Sequence, residues 1–219
     1  MKYFNFEIKR LWLFYSLYAV FVVTLLVLLL SNSKADLHVW MTSCHNNFSD
    51  QFFKYYTEVG GWIPFLVAAM ALFYRFRVGL LILVAQLFTG LVEQIGKWAW
   101  NEPRPKLYFE QFYPQISLHQ VAGVHLHSHN SFPSGHTTAA FSMFFVLAMA
   151  TDKKPLHVLY LTLAILVGYS RVYLSQHFAV DVLVGSMVGV FFSLPCKYWV
   201  EKLPLRWADG SLRDVFSRK

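Results

Sequence analysis

The sequence predicts an all-α, polytopic membrane protein with six transmembrane helices in one bundle. Three observations predict it. Of 219 residues, 56% are hydrophobic and only 14% are charged, against roughly a quarter charged in ordinary soluble domains. The apolar residues gather in long blocks rather than alternating or following an amphipathic period. The 19 Lys and Arg residues divide unevenly between the two sets of connections, as the topology of a membrane protein requires.

The blocks cover residues 11–30, 59–74, 78–96, 136–150, 156–174 and 178–199, and about 20 residues at roughly 1.5 Å each cross a bilayer core. The first block follows Lys9 and Arg10 and is itself free of charge. Its apolar run exceeds the 7–15 residues or so of a signal-peptide core, so it reads as a retained helix. The second is short and begins at Gly60-Gly61, with Phe52, Phe53, Tyr55 and Tyr56 ahead of it. That aromatic stretch either extends the helix or lies along the interface. Arg75-Phe76-Arg77 makes a tight link to the third block, and residues 151–155 link the fourth to the fifth. The long connection, residues 97–135, carries Pro103, Pro105, Pro114 and Pro133 and reads as loop rather than a seventh span. No repeat or soluble-domain-sized insert interrupts the chain, which reads as a single membrane domain over 1–219.

Thirteen Lys and Arg, among them Lys2, Arg206, Arg213, Arg218 and Lys219, fall with the termini and tight links, and six fall opposite. The bias places both termini in the cytoplasm. The net charge of +7 therefore reflects topology, with attraction to anionic headgroups as a side effect and no nucleic-acid partner. Cys44 and Cys196 are expected at opposite faces, too far apart to pair.

Three clusters put charge where an apolar chain avoids it: Lys97 with Arg104-Pro105, then Pro133-Ser134-Gly135-His136, then Ser170-Arg171 with His177 and Asp181. In this topology all three converge on the extracytoplasmic side. Lys97, Arg104 and Arg171 suit the oxygens of a phosphate, and arginine is its planar, bidentate partner. Ser134, Gly135 and His136 open a helix and can offer N–H groups to an anion. Asp181, four residues after His177, shares its face if both lie on the outer turn of the last helix, where the carboxylate orients the imidazole. Such an imidazole is a competent nucleophile, and a second histidine can donate the proton. Any one of these residues alone is more simply an interfacial, snorkelling or capping side chain.

As a set, the clusters resemble the tripartite signature of the type 2 phosphatidic acid phosphatase superfamily: K-x6-RP, PSGH and SR-x5-H-x3-D, all in order and unsubstituted. The resemblance implies a metal-independent phosphatase without cofactors, acting on a membrane lipid phosphate or diphosphate through a phosphohistidine. His177 would be the nucleophile, Asp181 its orienting acid and His136 the proton donor. Lys97, Arg104, Ser134, Gly135 and Arg171 would hold the phosphoryl group. Undecaprenyl diphosphate, phosphatidylglycerol phosphate, phosphatidic acid and lipid A phosphate are the candidate substrates, and the bacterial inner membrane is the expected setting. Vanadium-dependent haloperoxidases share the motifs but are soluble, against the apolar blocks here. A lipid-binding or lipid-translocating protein on the same fold is the non-enzymatic alternative. His119, His125, His127 and His129 read as loop polarity or a headgroup contact rather than a metal site. Glu93 either pairs with Lys97 or faces a polar interior.

Overall fold

The computed structural model describes residues 9–204, and over these the chain is helical with no strand. Of the basic residues counted for topology, Lys2, Arg206, Arg213, Arg218 and Lys219 lie outside the described residues. The helices are α1 (Trp12–Ser31), α2 (Lys34–Met41), α3 (Asn47–Tyr56), α4 (Ile63–Tyr74), α5 (Phe76–Trp100), α6 (Pro105–Phe112), α7 (Gly135–Met149), α8 (Lys154–Tyr173) and α9 (Ala179–Lys202), with a 3-10 turn at Thr57–Gly60.

Among the described residues, four helices are long and apolar enough to cross a membrane: α1, the run that begins at Phe76, α8 and α9. A fifth span results if α3 with its 3-10 turn and α4 act as one span bent by 55°. The block at 59–74 is thus divided. Pro64 sits in the first turn of α4, where its missing N–H and fixed φ suit a helix start, while Gly60 and Gly61 carry the bend. The block at 136–150 folds as α7, whose 15 residues extend about 22 Å, short of a bilayer core of about 30 Å. Nearly every α7 side chain from Thr137 to Met149 is nevertheless buried. It is the central helix, enclosed by α5, α8 and α9. The connection 97–135 carries the short helix α6, because Pro105 at its first position starts a helix instead of breaking one.

Two long-range contacts gather four helix ends at one end of the bundle. Arg10, before α1, donates to Met149 O at the end of α7 and pairs with Asp152 at 3.5 Å. Arg77, at the start of α5, donates to Val200 O near the end of α9 at 3.0 Å. The opposite end therefore collects the end of α5, the start of α7, the end of α8 and the start of α9, which are the four places where the motifs lie. In between, Phe14, Tyr18 and Phe21 of α1 pack against Phe141 and Phe145 of α7, and Tyr18 Oη bonds Ser186 Oγ at 3.1 Å.

Helices α7 and α9 approach backbone to backbone through Gly185 and Gly189, as small-residue helix pairs do in membranes. A Cβ at Gly189 would lie 2.6 Å from Thr138 O, and one at Gly185 2.7 Å from Ser134 O. Gly189→Val is expected to cost about 1–3 kcal/mol by overpacking. The variant should show a lower thermal unfolding midpoint in detergent than the parent protein.

Candidate active site

The third motif is shaped by how α8 ends. Leu174 N–H donates to Ser170 O at 3.0 Å, and the chain then turns through Ser175 at a φ of +50°. The N–H groups of Gln176 and His177 fold back onto Arg171 O at 3.0 and 3.2 Å. The five residues between arginine and histidine are thus a helix stop that returns the histidine to the arginine. His177 lies in this turn, ahead of α9, so the condition that both residues share the outer turn of the last helix is not met. Only Asp181 is on the helix. It sits at the third position of α9, and its Oδ2 accepts from Phe178 N at 2.9 Å in a capping-box arrangement. The carboxylate reaches back to the histidine from there.

Asp181 Oδ2 also lies 3.3 Å from His177 Nδ1 and accepts from Ser131 Oγ at 2.5 Å. His177 and Asp181 are each 2% exposed. Burial, opposed by Asp181, lowers the His177 pKa to about 4, so the ring is neutral at ordinary pH. With its proton on Nδ1 toward Asp181, Nε2 keeps the lone pair that attack requires.

The second motif joins the third through backbone. Ser134 N–H donates to Asp181 O at 3.1 Å, so this N–H is committed, and Gly135 and His136 supply the leading N–H groups of α7. Ser134 Oγ accepts from Thr137 Oγ1 at 2.8 Å, leaving the serine's own hydroxyl proton to donate. Glu93 connects the first motif to the second. Its Oε1 pairs with Lys97 Nζ at 2.5 Å, and a Cβ at Gly135 would lie 2.8 Å from the same oxygen. The pairing and the burial of Glu93 hold together, since the acid is 8% exposed.

The two arginines differ. Arg104 is spent largely on carbonyl groups: Nε on His129 O at 2.8 Å, Nη1 on Gln176 O and Oε1 at 3.1 Å each, and Nη2 on Asn130 O at 3.3 Å. It fastens the loop before the second motif to the turn of the third. Burial lowers its pKa from the usual value, while Asp181 and Glu93 raise it. Arg171 donates from Nη1 to Thr57 Oγ1 at 2.7 Å. Its Nε is buried without a hydrogen-bond partner, a donor in want of an acceptor. Arg171, His177, Lys97 and Arg104 all act electrostatically on His136, so the three motifs meet at one place. A cavity of about 410 Å³, lined by Lys97, Arg104, Gln94 and residues 127–130, opens beside them.

Ser131, Gln176, Thr57 and Glu58 border this cluster without having been singled out from the sequence. Ser131 is three residues ahead of Ser134, and that nearness to the second motif is its one signal in the sequence. The loop histidines divide. His119 Nε2 binds Asp50 at 2.9 and 3.1 Å and stacks on His45, with Tyr173 Oη donating to Asp50 at 2.6 Å. His127 lines the cavity, and burial, followed by the charge of Arg104, lowers its pKa. Among the described residues, no three His, Cys, Asp or Glu side chains gather as a metal ion would need.

This arrangement offers a neutral imidazole, a second imidazole, three cations and a helix N-terminus around one space, groups suited to phosphoryl transfer. Comparison with known proteins points the same way. The phosphatidylglycerophosphatase B of Bacillus subtilis is 37% identical over 82 residues, 33% of this chain and 40% of that protein. The lipid A 1-phosphatase of Rhizobium johnstonii is 31% identical over 118 residues, 53% of this chain and 46% of that one. Each match spans less than half of the relative's length. The crystal structure of a transmembrane PAP2-type phosphatidylglycerolphosphate phosphatase from Bacillus subtilis shares the fold. It superposes with a TM-score of 0.60 at 23% identity, over 88% of this chain and 98% of that one. The model of the PAP2 superfamily matches residues 76–204, more than half of the sequence and all three motifs, and the chain belongs to that superfamily.

Proposed function

We propose that the protein is a metal-independent membrane phosphatase that hydrolyses a lipid phosphate or diphosphate through a phosphohistidine. The observation that carries the reading is the buried His177, held neutral against Asp181 with cations from all three motifs around it. His177 Nε2 attacks phosphorus, the bond from phosphorus to the lipid oxygen breaks, and His136 gives that oxygen its proton. Water then attacks the phosphohistidine, His136 takes a proton from the water, the bond from phosphorus to Nε2 breaks, and inorganic phosphate leaves. Lys97, Arg171 and the hydroxyl of Ser134, with the Gly135 N–H, stabilise charge on the phosphoryl oxygens. Arg104 contributes its charge and holds the surrounding loops.

In the same reading the whole chain is one membrane domain with six spans: α1, the bent pair ending in α4, α5, α7, α8 and α9. Enclosure by its neighbours supports counting the short α7, since protein rather than lipid covers its ends. Both termini are cytoplasmic and the site faces outward in a bacterial inner membrane, as the charge bias supports. The relatives act on phosphatidylglycerophosphate and lipid A, and with undecaprenyl diphosphate and phosphatidic acid these form the substrate panel. Purified protein in detergent is expected to release inorganic phosphate from at least one of the four lipids, equally with and without EDTA. Loss of the activity on chelation would remove the metal-independent mechanism, and silence on all four would remove the function.

A further inference from the structure

The bend between α3 and α4 enters the site although none of its residues belongs to a motif, and it lies outside the stretch that matches the superfamily. Three contacts hold it there. Thr57 Oγ1 accepts from Arg171. Gly60 lies so close to the backbone carbonyl of His136 that a Cβ would overlap it. A Cβ at Gly61 would meet Glu58 Oε2 at 2.7 Å and His136 Nε2 at 3.4 Å. The carboxylate of Glu58 therefore borders the His136 ring, no further from Nε2 than those two distances laid end to end.

The charges around His136 give this contact a purpose. Arg171 from α8, His177 from the turn before α9, Lys97 from α5 and Arg104 from the following loop all face it. A proton donor in this position has to carry positive charge among three cations, each of which opposes it. Of the other acids at hand, Glu93 is paired with Lys97 and Asp181 with His177. Glu58 comes from the side that no motif supplies, and it also acts on Arg171.

We propose that Glu58 is a positioning residue for His136, holding its ring and offsetting the surrounding cations so that the imidazole can carry the proton the leaving oxygen receives. Glu58 transfers no proton itself. The assignment rests on the phosphatase reading above, and leaving-group chemistry tests it separately. Full-length Glu58→Gln is compared with the parent protein on a long-chain alkyl phosphate and on a nitrophenyl phosphate of the same chain length, whose phenolate leaves without protonation. The expected result is a fall in kcat/KM of about tenfold or more on the alkyl ester and much less on the aryl ester. The alkaline limb of the alkyl profile should move to lower pH, and Glu58→Asp should recover part of the loss. Equal losses on both esters, whether through unfolding or a shared defect, would overturn the assignment, as would an unchanged alkyl rate. A parent protein inactive on both esters would overturn the phosphatase reading along with it.

Discussion

His177→Ala is expected to reduce phosphate release from any accepted lipid by at least about a thousandfold, because it removes the proposed nucleophile. The side chain is buried, and truncating it leaves Asp181 short of one partner, with Ser131 and Phe178 N–H still bound. Some loss of stability should accompany the change, so the measurement needs a second arm. Enzyme mixed with radiolabelled lipid phosphate and quenched in alkali, where phosphohistidine survives, should carry label in the parent protein and none in His177→Ala. Label retained in the variant would move the nucleophile elsewhere. A rate within tenfold of the parent would remove the covalent mechanism.

Asp181→Asn should lower kcat/KM by up to about ten-thousandfold, the loss seen when the orienting acid of a serine-protease histidine becomes an amide. An amide oxygen can still accept from Ser131 and Phe178, so α9 keeps its start. Its partnership with His177 changes, and the ring loses the anion that favours Nδ1–H. The pH profile distinguishes this from a general weakening. Burial lowers His177 to about 4 while Asp181 pulls it upward. The acid limb of kcat/KM in the parent should therefore fall near pH 4, with activity lost as pH drops through it. Removing the anion moves that limb lower still, while the plateau itself drops. A limb that stays in place or rises would show that some group other than His177 sets it.

What was legible in the sequence was local or periodic. Apolar blocks as long as a bilayer is thick announce helices before any contact is known, and α1, α5, α8 and α9 lie close to the expected ranges. The pairing of Glu93 with Lys97 follows from a four-residue spacing within one helix, where both residues share a face. For His177 and Asp181 the same spacing gave the contact but not the helix that was its condition. Spacing specifies a common face only if the helix covers both residues, and here α9 begins between them.

The motifs were legible as a set of residue types but not as a set of hydrogen bonds. Arg104 and Arg171 are alike in sequence, yet one is fastened to loop carbonyls and the other keeps a buried donor without a partner. That difference depends on where residues 128–130 and Gln176 come to rest, and no local rule states it. Nor does any local rule bring Thr57 to Arg171 across 114 residues of chain.

By itself the sequence determined the membrane class, the apolar blocks and the residue types of the proposed phosphoryl-transfer site. These depend on composition, on the 1.5 Å rise of a helix and on short spacings, which any stretch of chain carries with it. Only the tertiary structure decided that α7 is the central helix, that His177 stands in a turn outside α9, and that the bend at Thr57–Gly61 reaches the cluster of motif residues. Those features arise from packing between segments distant in sequence: Gly60 against His136, Gly185 against Ser134, and Ser131 on Asp181. Close approach of this kind leaves no periodic mark along the chain.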